Sequence, residues 1–408
     1  MKRQRDAAAA GHGSAGPPAT GEPDAAWRVR LHDTPAALDA ATWDALVDAS
    51  PSATPFVRHA YLAALHDSAS AVPDTGWAPQ FLALERDGRL CAACPLYLKS
   101  HSYGEYVFDW AWANAYESAG RDYYPKLLGA VPFTPVPGPR LLARDDAARD
   151  ALLQALEALA ERNGLSSAHL LFLDEADRAA AERAGWMLRH AVQFHWRNRE
   201  PAPYADFADF LAGLQRDKRK NIQQERRKVR EAGVELEARV GGEIGPKDWD
   251  FFYRCYADTY RAHRSTPYLT RDFFARVAAT MPDHWLLFTA RRGGRPIAAS
   301  LIALDPARGH AFGRYWGAIE SVSCLHFEAC YYAPLEWCIA HGLRRFEGGA
   351  QGEHKMARGL LPVRTHSAHW LADRRFADAV SRFLEREGAG VDAYVDELSE
   401  RNPFKRGG

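Results

Sequence analysis

An internal repeat with a spacing of 206 residues constrains the fold of this chain more than any other sequence feature. Two β-hairpins are predicted, each made of two apolar strands around a tight turn. Their turns are Asp-Gly and Gly-Gly, which supply the positive φ that tight hairpins require. The hairpins comprise residues 80–85 and 90–98 around Asp87-Gly88, and residues 285–290 and 296–304 around Gly293-Gly294. A period near 200 residues indicates two homologous domains rather than a solenoid.

The two hairpins match at the same 206-residue spacing, and the matches continue beyond the hairpins. They are Arg89 with Arg295, Ala92-Ala93 with Ala298-Ala299, Leu98 with Leu304, Trp110 with Trp316 and, two residues out of step, Tyr123-Tyr124 with Tyr331-Tyr332. Each half is then predicted to continue with an aromatic strand, a helix and another strand. These elements are 106–112, 122–131 and 140–142 in the first half, and 311–316, 324–341 and 344–347 in the second.

Four further elements complete the first half: helices at 145–163 and 175–184 and strands at 168–173 and 188–194. Hairpins that feed helices and further strands predict a mixed α/β (α+β) fold. We expect a disordered tail at 1–26, a first domain at 27–200, a second at 201–388, and a C-terminal helix or tail at 389–408. Residues 7–18 (AAAAGHGSAGPP) are too poor in large apolar side chains to form a core or a secretory signal.

Composition excludes several classes of protein. The 408 residues carry 52 basic and 52 acidic side chains, so no overall field attracts polyanions. The longest uncharged stretch after the tail, 127–139, contains four prolines and is too short to span a membrane. Six cysteines are too few for a disulfide scaffold, and Cys91 and Cys94, at i and i+3 on a strand, point to opposite faces. We therefore expect a reduced, cytoplasmic protein with no metal site and no integral membrane insertion.

Residues 214–233 (LQRDKRKNIQQERRKVREAG) form a predicted helix with a concentration of positive charge. The segment contains eight Lys and Arg residues but only three acidic residues, Asp217, Glu225 and Glu231. Most runs of this kind are solvated helix surfaces. The alternative is that the helix binds phosphates, such as those of a tRNA.

Two segments combine residue types that suit a ligand site. In 107–139, aromatic side chains alternate with polar ones, which fits either a concave binding site or an aromatic core. Its candidate substrate-binding residues are Trp110, Trp112, Asn114, Tyr123, Tyr124 and Lys126. In 346–369, four glycines surround charged groups, which fits either a ligand-binding loop or a surface loop. Its candidates are Glu347, Gln351, Glu353, Lys355 and Arg358, with Arg314 and Tyr315 on the adjacent strand.

Other chemistries lack their motifs. No Gly-x-Gly-x-x-Gly follows a strand, and P-loop, His-Glu-x-x-His and Gly-x-Ser-x-Gly patterns are missing. A covalent cysteine intermediate is disfavoured because every Cys lies in an apolar strand or helix context.

Four runs of this sequence resemble the FemAB-like predicted N-acyltransferases, also described as peptidoglycan biosynthesis/recognition proteins. They are residues 108–142 (FDWAWANAYESAGRDYYPKLLGAVPFTPVPGPRLL), 314–318 (RYWGA), 326–332 (HFEACYY) and 347–359 (EGGAQGEHKMARG). The resemblance covers about residues 27–388. It implies two tandem GNAT-like domains, in agreement with the repeat.

One departure from the GNAT pattern concerns the acyl donor. Acetyl-CoA-dependent members carry a pyrophosphate loop, Gln/Arg-x-x-Gly-x-Gly/Ala, at a helix N-terminus. The nearest match here, Arg314-Tyr-Trp-Gly317-Ala-Ile319, fails at its last position. The donor that the resemblance implies is therefore an acyl thioester such as acyl-CoA, or an aminoacyl-tRNA; no tightly bound cofactor is expected.

The expected reaction is direct attack of a substrate amine on an activated acyl carbonyl. Glu347 is the first candidate base, because it ends a strand, and Glu353 is the second. Lys126, Arg314, Lys355 and Arg358 are candidates for binding anionic groups, and the aromatic residues for lining the pocket. Three hypotheses stay open: acyl transfer from a thioester, aminoacyl transfer from tRNA to a peptidoglycan-type precursor, and non-catalytic recognition of such a precursor.

Overall fold

The computed structural model describes residues 26–349 and 352–405, which form a mixed α/β structure, as the sequence predicted. Nearly all of the predicted tail, and Gln351, lie outside these described residues. None of the described helices is long and apolar enough to cross a membrane.

The first half of the chain supplies nine strands and five helices to the described structure. The strands are β1 (Arg28–His32), β2 (Trp77–Pro79), β3 (Phe81–Arg86), β4 (Arg89–Cys94), β5 (Leu96–Lys99), β6 (Lys126–Gly129), β7 (Leu142–Ala143), β8 (Ser167–Leu173) and β9 (Met187–Arg197). The helices are α1 (Ala40–Ala49), α2 (His59–Asp67), α3 (Trp110–Ser118), α4 (Asp146–Arg162) and α5 (Glu175–Arg183).

The second half supplies the remaining strands and helices. The strands are β10 (Val234–Val240), β11 (Trp285–Arg292), β12 (Arg295–Asp305), β13 (His310–Ala318), β14 (Arg345–Glu347) and β15 (Leu361–Leu371). The helices are α6 (Phe207–Gly213), α7 (Arg216–Glu231), α8 (Pro246–Ala262), α9 (Arg271–Thr280), α10 (Leu325–Phe327), α11 (Ala333–Ala340) and α12 (Arg374–Glu400). A π-helical turn, Glu328–Tyr332, joins α10 to α11.

The two halves share one large sheet. Its strand order is β10-β11-β12-β13-β14-β9-β15-β8-β6-β5-β2, while β1, β3, β4 and β7 form a smaller sheet. Strand β9 of the first half lies between β14 and β15 of the second, and it pairs with β15 at nine positions, from His195 opposite Leu361 to Met187 opposite His369. Each half therefore completes its part of the sheet with a strand from the other.

Apolar side chains bury both faces of the large sheet. On one face a single core combines residues of both halves, including Phe56, Phe133, Phe252 and Phe312. On the other face, α4 and α5 cover the first half, and α6, α7 and α11 cover the second. The shared core holds the two halves together on the face where Glu347 also lies.

Most of the predicted elements are confirmed. Both hairpins form, and their turns have positive φ at Asp87-Gly88 and at Gly293-Gly294. The first is shorter than predicted, because Pro95 ends β4 and the following strand β5 joins the large sheet. Helices α4, α5 and α7 and strands β8, β9, β13 and β14 lie where their patterns placed them.

Two predictions in the first half are wrong. The aromatic strand at 106–112 is a loop followed by α3, in which Trp112 and Tyr116 share one helix face at the i, i+4 spacing. The helix at 122–131 is instead strand β6, which follows Pro125 and pairs with β5 and β8. Of the strand predicted at 140–142, only Leu142 belongs to a strand, β7. Helix α12 runs through position 388, where we expected a domain boundary.

Gly317 on β13 marks a contact where the backbones of β13 and α8 approach closely. A Cβ atom there would lie 2.1 Å from the carbonyl oxygen of Cys255 on α8. We expect Gly317→Ala to reduce the free energy of unfolding by about 1–3 kcal/mol, because a methyl group must displace backbone. Gly390→Ala, within α12 and with no atom within 4 Å of the added Cβ, should stabilise by about 0.5–1 kcal/mol. Denaturant unfolding of both variants measures the difference, and equal stabilities would contradict this packing.

Candidate functional site

The candidate site is a gap between two strands of the large sheet. Strands β13 and β14 are parallel and pair only from His310 opposite Arg345 to Phe312 opposite Glu347. Beyond this point β13 stays paired with β12 except at Arg314, where the register shifts in a β-bulge. Gly348, in contrast, turns toward β9 and donates to Phe194 O. We call this opening the strand gap: residues 313–318 on one side and 347–349 on the other. Beyond Phe312, β13 has no strand partner on the side of β14 within the described residues, so backbone amides on that side are unpaired in the sheet.

Glu347 lies at the closed end of the strand gap. Its side chain is buried, and Arg345 donates to its Oε1 atom at 2.6 Å. Its Oε2 atom has no hydrogen-bond partner among the described residues. Burial raises the pKa of Glu347 to about 7, and Arg345 and Arg314 offset part of this rise. A carboxylate with this pKa and a free oxygen suits a general base at neutral pH.

His195 on β9 fixes the surroundings of Glu347. Arg345 donates to its Nδ1 at 2.7 Å, so Nδ1 is the acceptor and the proton of the neutral ring is on Nε2. This Nε2–H faces Gln193 Oε1 at 3.2 Å and Glu347 Oε2 at 3.7 Å. Burial and the neighbouring Arg345 hold the pKa of His195 well below its ordinary value. His195 is therefore a neutral donor beside the carboxylate.

Arg314 and a group of tyrosines line the strand gap on the same face as Glu347. Arg314 donates to Phe133 O at 2.9 Å and to Tyr315 Oη at 3.2 Å. Burial raises the pKa of Tyr106, which is held at a positive φ of 63°, and the nearby charge of Arg314 offsets part of this rise. The tyrosines around Arg314 are Tyr61, Tyr106, Tyr260 and Tyr315. Together they offer one cation and several neutral donors.

Lys355 and two histidines border the strand gap on the opposite face. Lys355 is buried and donates to Gly349 O at 2.8 Å, and burial lowers its pKa to about 8. His326 packs edge-on against Trp316, and His354 Nε2 lies 3.1 Å from Tyr331 Oη. Ligands could therefore meet polar groups from both faces of the sheet.

Glu353 and Arg358 anchor the loop that follows the gap. The Glu353 carboxylate is about half exposed; it accepts from Tyr394 on α12 and pairs with Arg401. Arg358 is buried against Phe327 and pairs with Glu225 of α7 at 2.9 Å. Neither charge is free in the described chain, so both residues fix the loop against helices.

The Cys330 thiol, which lies near Lys355, is a poor nucleophile. Burial raises the pKa of Cys330, in the π-helical turn, to about 12. Its thiolate is therefore scarce at neutral pH. This agrees with direct attack of a substrate amine.

Three of the predicted residues of the first half, Tyr123, Tyr124 and Lys126, belong to a separate cluster around Lys126. The Lys126 ammonium has no solvent exposure and donates to Ser102 at 2.8 Å, Glu105 at 2.9 Å and Asp109 at 2.5 Å. Burial raises the pKa of Glu105 to about 7, whereas Lys126 keeps that of Asp109 below its usual range despite burial. With its three donors occupied, Lys126 positions loop 100–109 and has no donor left for a substrate.

The aromatic candidates of this half divide between core and surface. Tyr123 is buried and donates to Asp109 at 2.6 Å, and Tyr124 shares a 2.8 Å hydrogen bond with Ser102. Trp112 packs under α12 in a small core. Trp110 is 37% exposed and Asn114 is exposed, both on α3. The structure thus separates these residues from Glu347 and Arg314.

Sequence reasoning missed several residues of the strand gap. His195 and Arg345 contact Glu347 through strand pairing, and Tyr106 and Tyr260 reach Arg314 from distant segments. The only local signal was the alternation on β9, which puts Arg189, Gln193, His195 and Arg197 on one face.

The chain belongs to the FemAB-like family. The family model described as peptidoglycan biosynthesis/recognition matches residues 35–406. No curated protein matches the chain significantly in sequence.

Solved structures share the fold at low sequence identity. L-PGS from Bacillus licheniformis superposes with a TM-score of 0.52 at 10% identity, covering 85% of this chain and 97% of that one. FemX gives a TM-score of 0.52 at 10% identity, with 84% and 98% covered. A tandem GNAT protein from the clavulanic acid biosynthesis pathway gives 0.46 at 13% identity, with 85% and 99% covered. The superpositions on L-PGS and FemX show that this chain shares their fold.

Lys126→Met tests whether this lysine holds loop 100–109 in place. We expect a loss of about 3–5 kcal/mol in the free energy of unfolding, because Asp109 and Glu105 would stay buried without their cation. Lys228→Met on the exposed face of α7 is the control and should change stability by less than about 0.5 kcal/mol. Equal unfolding curves for the two variants would contradict a positioning role for Lys126.

Proposed function

We propose that this protein is an N-acyltransferase that moves an acyl group from an activated donor, an acyl thioester, to a substrate amine in the strand gap. The observation that carries the proposal is Glu347, a buried carboxylate with a raised pKa and an unoccupied oxygen at the closed end of the gap. Membership of the FemAB-like family supports the class of reaction.

In the proposed reaction, Glu347 Oε2 takes a proton from the substrate ammonium. The amine nitrogen then forms a bond to the acyl carbon, and the carbonyl oxygen becomes an oxyanion. The free amides of residues 313–318 and the Arg314 charge stabilise that oxyanion. When the intermediate collapses, the carbon–sulfur bond breaks and the thiolate leaves; a proton released from nitrogen neutralises it. Arg345, paired with the other carboxylate oxygen, Oε1, keeps the Glu347 carboxylate oriented.

The opposite face of the gap suits the donor. Lys355 contacts the gap at Gly349, and its pKa is lowered. In its charged form it can pair with an anionic group of the donor, and it can also give a proton to the leaving group. Arg314 and the tyrosines on the other face suit the amine acceptor. Donor and acceptor would meet where β13 and β14 separate, which provides the positioning that acyl transfer requires.

Glu347→Gln tests the base. We expect a loss of about 10²–10⁴-fold in kcat/KM, since the amide cannot accept the proton. In the wild type, kcat/KM should fall as the pH drops below about 7, because Glu347 becomes protonated, and the variant should lack that dependence. Steady-state kinetics across pH measure both effects.

Glu353→Gln is the matched comparison for this test. Its carboxylate is half exposed and bonded to α12, so turnover should change by less than about threefold (about 0.6 kcal/mol). The opposite ranking would move the base to Glu353. If Glu347→Gln kept both ligand binding and the cellular phenotype, a non-catalytic recognition module would replace the enzyme.

A second donor, aminoacyl-tRNA, is favoured by the surface of α7. Five of its cations are exposed: Arg216, Lys220, Arg227, Lys228 and Arg230. Arg226 is different, because it is half buried and pairs with Glu328 and Glu336. These exposed cations give α7 a basic surface on which phosphates could bind.

Replacing Lys220, Arg227 and Lys228 by Gln tests the tRNA hypothesis. If tRNA binds α7, its affinity should fall, and the slope of log K against log salt should shrink by about 2–3, close to one unit per lost phosphate contact. The control replaces three exposed cations of α12, Arg374, Arg382 and Arg386. If the donor is a thioester instead, acyl-CoA at 100 times its Kd should stabilise the protein by about 2.7 kcal/mol, with no effect of the α7 substitutions.

A further inference from the structure

A small cavity with three arginines opens at the end of the large sheet where β14 begins. Its volume is about 280 Å³, just below the usual range for ligand pockets of about 300–1,000 Å³. We call it the arginine cavity; its lining residues are Arg197, Asn198, Glu200, His310, Arg344 and Arg345. It lies outside the strand gap, two residues before Glu347.

Strand register brings three basic side chains together in this cavity. His310 on β13 is the partner of Arg345 on β14, and Arg345 is the partner of Arg197 on β9. Partner residues on adjacent strands project from the same face and lie about 5 Å apart at Cβ, where like charges destabilise the sheet. A sheet that keeps this row needs negative charge beside it.

The protein supplies only part of that negative charge. Glu347 pairs with Arg345, and Asp305, the strand partner of His310, pairs with Arg308. Glu200 is the one carboxylate among the lining residues. Within the described residues, the guanidinium groups of Arg197 and Arg344 make neither an ion pair nor a hydrogen bond, and both side chains are exposed at the cavity mouth. The guanidinium groups of Arg197 and Arg344 are therefore available to bind a ligand.

The pKa of His310 reflects its burial and the positive charge of the neighbouring arginine. Burial and the adjacent Arg345 lower its pKa to about 4, so its ring is neutral at pH 7. A neutral ring can offer an N–H donor to a ligand, and it adds no further positive charge to the arginines.

We propose that the arginine cavity binds an oxyanion, either a phosphate or a carboxylate group. Guanidinium groups match both anions with paired N–H donors, and three of them converge here. An anion would also offset the repulsion between the partner residues Arg345 and Arg197. The size of the cavity suits a phosphoryl, diphosphate or short carboxylate group rather than a whole nucleotide.

The arginine cavity is linked to Glu347 through Arg345. Residues two apart on a strand lie about 7 Å apart on one face, and the Arg345 guanidinium already contacts Glu347. An anion bound in the cavity shares the positive charge of Arg345 and thereby makes Glu347 more basic. This link to catalysis rests on the proposed function, whereas anion binding does not.

Calorimetric titration of the full chain with inorganic phosphate, pyrophosphate and succinate tests the site. We expect at least one of these anions to bind, and Arg197→Gln and Arg344→Gln each to weaken it about tenfold or more, since each removes a charge-assisted hydrogen bond. Arg375→Gln, an exposed cation on α12, is the control and should bind as the wild type does. If no anion binds at millimolar concentration, or if all variants bind alike, the proposal is wrong.

The His310 ring gives an independent readout that needs no enzyme activity. Its NMR signal, assigned by its loss in His310→Gln, should titrate at higher pH when the anion is present, because bound negative charge favours the imidazolium. In Arg344→Gln this rise should be much smaller at the same anion concentration. An unchanged His310 titration in the wild type would overturn the proposal even if heat were released.

Inhibition kinetics then distinguish two sources of the anion. If the cavity holds an anionic group of the amine acceptor, pyrophosphate should compete with that acceptor. If the cavity binds a separate effector, pyrophosphate should change kcat without competing. Failure of the transfer assay itself would count against the proposed function only, because the two binding measurements do not depend on it.

Discussion

The structure depends on the exchange of strands at the centre of the large sheet. Strand β9 pairs with β14 and β15, and β15 pairs with β8, so neither half closes its own sheet. This pairing also places His195 opposite Glu347 and Arg197 opposite Arg345. A shift of one residue would turn all of these side chains to the opposite face. The register of β9 therefore determines both the fold of the two halves and the chemistry at their junction.

The two buried charged clusters, around Lys126 and around Glu347, differ in whether their polar atoms have hydrogen-bond partners. Around Lys126 the lysine's three donors are used inside the protein, so the cluster stabilises a loop. Around Glu347 one oxygen is unoccupied and burial raises the carboxylate pKa to about 7. A fully satisfied buried cluster rigidifies a structure, whereas an incompletely satisfied one is a candidate for reactivity. This difference, rather than residue type, separates the positioning site from the candidate active site.

Sequence patterns predicted elements well where one period dominated. The Asp-Gly and Gly-Gly turns, the amphipathic α4 and the buried β8 each carry a single strong signal. Residues 106–131 do not, because aromatic side chains there fit a strand alternation and a helix face equally well. Contacts with α12 and with Lys126 decide the outcome in that segment: Trp112 and Tyr116 pack under α12, and Lys126 holds the preceding loop. Local propensity yields to such contacts.

By itself, the sequence determined the internal repeat, the basic helix α7 and the choice of Glu347 as a candidate base, because repeats, charge runs and strand ends can be recognised in the sequence itself. Only the tertiary structure decided which charges are free. It paired Arg226 and Arg358 with glutamates, occupied the three donors of Lys126, and left one oxygen of Glu347 open. It also aligned Arg197 with Arg345, which lies 148 positions later in the chain. The physical reason is that burial and strand register, which set pKa values and partners, arise only when distant segments pack together.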